Sequence, residues 1–198
     1  LRYCFHIARA IIENPGETVT DDEIAALLAD NPQAGDFVRK NFAGIYFAEG
    51  VHGIIDSIRA NIDKLSAEGF KRDIALFALG KTCITGKGGF GHFGTTIPHG
   101  DRQDSPERFK QRFADNIRTI NSLAFDNGQP CRAACGDIMD IGPQVKADLA
   151  YFDPPYATHF SQTNYERSYH FIEGLMTYWD GKEIVEGSKT KIYRIEKS

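Results

Sequence analysis

The chain has 198 residues, 41% of them apolar and 25% charged, with a net charge of −4. That length suits one ordinary domain with a real core, which excludes a wholly disordered chain and two large domains. No run of about 18 apolar residues occurs, so a membrane-spanning helix is excluded, and no charged-then-apolar leader ends in a small-residue cleavage site. The chain opens on Leu1 rather than methionine, which reads as a piece of a longer protein. Cysteines at 4, 83, 131 and 135 form no C-x-x-C pair. Reduced thiols in a cytoplasmic protein are the expectation.

Residues 1–13 read as a helix, with Tyr3, Ile7, Ala10 and Ile11 on one face and Asn14-Pro15-Gly16 as its stop. Thr20 and Glu23 form a capping-box pattern ahead of a helix over 21–29. The apolar run 42–47 has no clear period, and 48–65 carries a long helical stripe from Val51 to Leu65. A short helix over 73–79 is expected to end at Gly80 as a C′ glycine. Residues 86–94 hold five glycines and read as a flexible loop rather than a regular element. Ser105-Pro106 opens a helix that runs to about Phe125. Short strands are expected at 130–134, 147–152 and 191–195, with a helix over 165–179 between the last two. Strands thus begin only near residue 130, too few for a whole sheet.

The charge is unevenly spread. Residues 1–70 carry a net −5, residues 71–120 a net +4 and residues 121–198 a net −3. An anionic partner would dock on the basic middle, where Lys87, His92, Phe90, Arg102 and Arg108 are the candidates for contacts to phosphates or bases. Gly86-Lys-Gly-Gly-Phe-Gly91 fits G-x-G-x-x-G in form, but no strand–loop–helix unit surrounds it. Gly80-Lys81-Thr82 lacks the first glycine of a P-loop.

Tyr151-Phe-Asp-Pro-Pro-Tyr156 is the strongest signal. Two prolines fix the chain and remove two donors, so the Asp153 carboxylate and the carbonyls that follow are presented as acceptors, with an aromatic ring next to them. Such a loop offers acceptors to an amine and a flat face to a ring. It resembles the catalytic loop of adenine-specific DNA methyltransferases of the D-P-P-Y, Dam-like type. The resemblance implies catalytic roles for Asp153, Pro154, Pro155 and Tyr156. Asp153 and the Pro154 carbonyl would hold the adenine amine, and Tyr156 would stack on the base. Cys135-Gly-Asp-Ile138 resembles the family segment that contacts the adenosine of S-adenosylmethionine, which implies Asp137, Ile138 and Asp153 as cofactor-binding residues. Asn164, Tyr165 and the helix with His170 and Glu173 also resemble the family pattern after the catalytic loop.

The resemblance implies an α/β chain, part of a Rossmann-like S-adenosylmethionine-dependent methyltransferase fold with a mostly helical insert and an incomplete sheet. Residues 1–13 would begin the catalytic domain, 14–128 form the helical insert for target recognition, and 129–198 return to the catalytic domain. It implies methylation of the exocyclic amine of adenine in double-stranded DNA by base flipping, with S-adenosylmethionine as donor, no metal and no membrane. A cognate restriction endonuclease is a further implied partner. The glycine-rich F-x-G-x-G loop that cradles the donor's methionine part is not found, and its expected place precedes Leu1. The expectation is an internal fragment, inactive or weak by itself, with exposed apolar edges. A non-catalytic DNA-binding specificity fragment and an RNA or protein amine methyltransferase are the alternatives.

Overall fold

A computed structural model of the chain describes residues 1–89, 91–102, 104–126, 128–153 and 165–194. Its helices are α1 (Arg2–Ala8), which continues as a π-helical turn over Arg9–Glu13, α2 (Asp21–Leu28), α3 (Phe37–Phe42), α4 (Val51–Leu65), α5 (Phe70–Gly86), α6 (Pro106–Asn121), the single turn α7 (Ile138–Ile141) and α8 (Tyr165–Thr177). None of the described helices is long and apolar enough to cross a membrane.

The helix signals written in the sequence operate as local chemistry. The Thr20 hydroxyl accepts from the Glu23 amide at 3.3 Å while Glu23 accepts from the Thr20 amide at 2.8 Å, so two orphan donors at the start of α2 are satisfied reciprocally. Ser105 caps α6 in the same sense, with Pro106 at the first position. Gly50, at φ 86°, delays the start of α4 to Val51. Gly80 does not end α5, which runs on to Gly86. A Cβ at Gly80 would lie 2.4 Å from Cε2 of Tyr3, so this glycine serves the close approach of α1 to α5 rather than a C-cap.

The Rossmann-like α/β sheet expected from the sequence is not what the structure has. The described residues are helical and contain no strand; Ile184 and Tyr193 form one isolated antiparallel bridge. Residues 130–134 and 147–152 run as irregular chain. A strand exists only where a neighbour takes its amides and carbonyls, and no described segment offers that edge.

The core is an aromatic cluster fed by α3, α4, the 86–94 loop, α6 and α8. Phe93 stacks on Phe171 with centroids 4.7 Å apart, Phe42 meets Phe171 edge-on at 4.9 Å, and Trp179 stacks on Phe37 at 4.8 Å. The glycine-rich loop is therefore pinned at Phe93. Its amide donates to the Ser168 carbonyl at 2.7 Å, and its carbonyl accepts from the Tyr46 hydroxyl at 2.7 Å and the His170 ring at 3.2 Å.

Buried charges tie the helices together. On α4, Asp56 accepts from the Val38 and Arg39 amides at the start of α3 and from the Tyr178 hydroxyl at 2.7 Å. One turn further on, Arg59 donates to the Leu175 and Met176 carbonyls at the end of α8, at 2.9 and 3.1 Å. Asp73 on α5 takes His6 and Arg9 of the first helix, each at 2.6 Å. Residues 165–194 thus share one core with residues 1–126, while 129–153 lie outside it.

Two outcomes are expected. Asp73→Ala leaves Arg9 without its buried partner and lowers stability by about 2–3 kcal/mol, read from the urea midpoint. Burial pushes the His170 imidazole down to about 4 from 6.5. The unfolded chain therefore binds a proton that the folded chain refuses, and stability falls as pH drops through that window. His170→Gln, compared with the parent by denaturant titration across the same range, shows a shallower fall.

Candidate active site and the basic middle

The segment 129–153 carries the residues that the sequence marks for chemistry. Asp137 caps α7, its carboxylate accepting from the Met139 amide at 2.8 Å, and its carbonyl accepts from the amides of Asp140 and Ile141. A Cβ at Gly136 would stand 2.7 Å from Cδ1 of Ile141, so the glycine lets this turn close. The Ala133 amide donates to Glu13 at 3.2 Å, a link from the segment to the first helix. Beyond it the apolar side chains face solvent: Ile138, Met139, Leu149, Tyr151 and Phe152 are all exposed, Leu149 by 88%. Asp153 is exposed at the end of the segment. Pro154, Pro155, Tyr156 and Asn164 lie outside the described residues. Tyr165 opens α8 half-buried, with its ring 6.1 Å from that of Tyr169.

Where the segment leaves the helical body, Cys135 and Gly136 border a cavity of about 670 Å³, shared with Arg2, Glu173, Lys182 and Tyr193. Glu173 sets its geometry. Its carboxylate accepts from the Arg2 and Tyr3 amides at 2.8 and 3.1 Å, so α8 caps α1 across a separation of 171 residues. On the far side of Glu173 a second cavity of about 340 Å³ is lined by Tyr3, Ile7, Tyr165, Tyr169 and Ile172. Burial first, then Glu173 and Cys135, hold the Cys4 thiol above its ordinary range. The helical pattern of residues 1–13 gives no sign of this arrangement, because Glu173 reaches α1 only through the packing of α8.

The basic middle is largely engaged within the fold. Asp104, buried, takes Arg112 at 2.9 Å and Arg108 at 3.2 Å. Lys110 reaches Asp30 at 3.5 Å, and Arg118 reaches Asp21 at 2.9 Å. Arg102 donates to the Ile97 carbonyl at 3.3 Å and to the Gly44 carbonyl. Lys87 is fully buried, its ammonium 3.0 Å from the Gly88 carbonyl and 5.1 Å above the Phe93 ring. His92 is half-buried and accepts from the Gly94 amide at 3.2 Å. Phe90 lies outside the described residues. Of the residues marked for nucleic-acid contact, Arg108 is exposed, Arg102 and His92 are half-buried, and Lys87 faces the interior.

Burial lowers the Lys87 ammonium to about 8 from 10.5. Between those values the unfolded chain holds a proton that the folded chain has lost, so stability rises with pH there. Lys87→Met removes that rise in denaturant titrations and leaves the salt dependence of any DNA binding unchanged.

The model of the D12 class N6 adenine-specific DNA methyltransferases matches residues 1–191 of the chain. Among curated proteins, the chain is 26% identical over 188 residues to the Type II methyltransferase M2.HphI of Haemophilus parahaemolyticus, an alignment covering 87% of this chain and 54% of that protein. The chain spans about half the length of that relative. No solved structure matches it.

Proposed function

The chain belongs to the D12 class N6 adenine-specific DNA methyltransferases, and from that membership we propose that the protein carrying it methylates the exocyclic amine of adenine in duplex DNA, with S-adenosylmethionine as donor. The family match over residues 1–191, which includes Asp153-Pro-Pro-Tyr156, carries this reading. The Type II designation of the relative supports a place in restriction–modification, with an endonuclease as the paired activity.

The chemistry asks little of the protein beyond position and electrostatics. The amine of a stacked adenine is out of reach, so the base leaves the duplex. Asp153 and the Pro154 carbonyl accept its two amine hydrogens, which draws the nitrogen lone pair out of conjugation with the ring. Tyr156 stacks on the base and fixes its plane. When bound, the donor supplies an electrophilic methyl on a sulfonium. The amine proton released afterwards passes to solvent past Asp153, which need not be a strong base.

The residues present suit such a donor. Asp137 uses one carboxylate oxygen on the Met139 amide and keeps acceptor capacity for a ribose hydroxyl or a purine amine. Ile138, exposed beside it, offers an apolar face to a purine ring.

In the whole protein, Asp153→Ala is expected to cut transfer of labelled methyl from S-adenosylmethionine into unmethylated duplex by roughly a thousandfold, a loss of the size seen when an oriented polar group leaves an active site. Duplex binding, read by filter retention, stays close to the parent's. Near-full transfer by the variant would overturn the role of Asp153. Label recovered on cytosine, RNA or protein would overturn the adenine reading itself.

A further inference from the structure

The first helix leaves its α-helical register where the segment 129–153 comes back to it. Over Arg9–Glu13 the turn is π-helical, and the Asn14 amide donates to the Arg9 carbonyl, five residues back, at 3.0 Å. Such turns are rare and are frequent at functional sites. This one is fixed at both ends. Arg9 donates to buried Asp73 at 2.6 Å and lies 5.1 Å over the Phe70 ring. Asn14, itself buried, donates to the Ala10 and Glu17 carbonyls and accepts from the Gly16 and Glu17 amides. The extra residue in the turn shifts Glu13 around the axis from the place that an i, i+4 spacing to Arg9 would give it.

Glu13, half-buried, spends that placement on a partner 120 residues away: its carboxylate accepts from the Ala133 amide at 3.2 Å. The segment then follows the first helix backwards. Cys131 lines a cleft of about 130 Å³ with Ile12, Glu13 and Asn14, and Cys135 and Gly136 border the larger cavity with Leu1 and Arg2. Asp137 follows four positions after Ala133. Its carboxylate accepts from the Met139 amide, and Gly136 lets the turn close on Ile141. Those contacts lie within the segment and move with it. The bond to Glu13 crosses to the helical body.

We propose that Glu13 is a positioning residue for the methyl donor: it acts through the Ala133 amide and fixes where Asp137 and Ile138 meet the donor's adenosine. The inference rests on the reading of those two residues as donor contacts. A carboxylate suits the task, since a charged acceptor holds an amide more strongly than a neutral one. Glu13 itself touches neither the donor nor the adenine. Its loss therefore weakens donor binding and leaves the transfer step, assigned to Asp153 and the Pro154 carbonyl, in place.

The test uses the whole protein with S-adenosylmethionine as the probe, affinity being read by calorimetric titration and transfer at saturating duplex. Glu13→Ala is expected to raise the Kd and KM of S-adenosylmethionine together by about tenfold, the size of one hydrogen bond to a charged acceptor, with kcat within about twofold of the parent's. Glu13→Gln keeps an acceptor for the Ala133 amide and should recover most of the affinity. Ala133→Pro removes the amide hydrogen from the other side of the bond, and the double variant should bind no more weakly than either single one. Melting temperatures are read alongside. Parent-like affinity in Glu13→Ala overturns the proposal, and so does a loss that shows in kcat alone or in melting temperature alone. Additive losses in the double variant mean that the two groups act separately, and the proposal falls while the methyl donor stands. If the parent binds no S-adenosylmethionine, the functional reading fails together with this inference.

Discussion

Two charged side chains one turn apart on α4 hold the ends of two other helices. Asp56 takes the first amides of α3, and Arg59 takes the last carbonyls of α8. Each sits where the macrodipole of the helix it meets has the opposite sign. Both are buried, so each charge is worth keeping only because its partners are present. The pair fixes α8 against the helical body, and α8 in turn brings Phe171 and Trp179 into the aromatic core and Glu173 to the start of α1. Remove that docking and the core, the cap of α1 and both cavities beside Glu173 lose their common support.

The segment 129–153 has the opposite character. It bears Asp137, Ile138 and Asp153, yet its large apolar side chains face solvent, and the bond from Ala133 to Glu13 ties it to the first helix. Six large apolar side chains in water cost about 25 cal/mol for each Å² that a partner surface could cover. A segment so composed has a strong drive to be covered. The helical body is held by its own contacts, whereas this segment leaves its apolar surface unspent.

The electrostatics show why a charge count misleads. A net +4 over residues 71–120 suggests a surface for an anion. In the fold, Arg108 and Arg112 converge on buried Asp104, Lys110 and Arg118 reach acids from the first thirty residues, and Lys87 points inward. Some of the acidic excess of residues 1–70 and some of the basic excess of the middle belong to the same ion pairs and cancel in space. Positive groups that stay exposed, such as Arg39 and Arg108, come from different stretches of the chain, across a boundary that no window of sequence would draw.

Local chemistry made much of this chain legible without a structure. The capping box at Thr20, the Ser105-Pro106 start of α6, the stripe of α4 and the pattern of α8 depend on residues a few positions apart, and each formed. The D-P-P-Y segment marked the family for the same reason: its meaning lies within four consecutive residues. What failed or stayed hidden needed distant partners. The strands at 130–134 and 147–152 did not form, since strand propensity cannot supply a neighbour. Gly80 looked like a helix end until Tyr3 arrived from 77 residues away to occupy the space its missing Cβ leaves. The loop at 86–94 looked free until Phe93 entered the core. Sequence determined where the capped helices α2 and α6 start and which family the chemistry belongs to; tertiary packing decided which charges reach solvent, because burial and pairing are properties of neighbours in space.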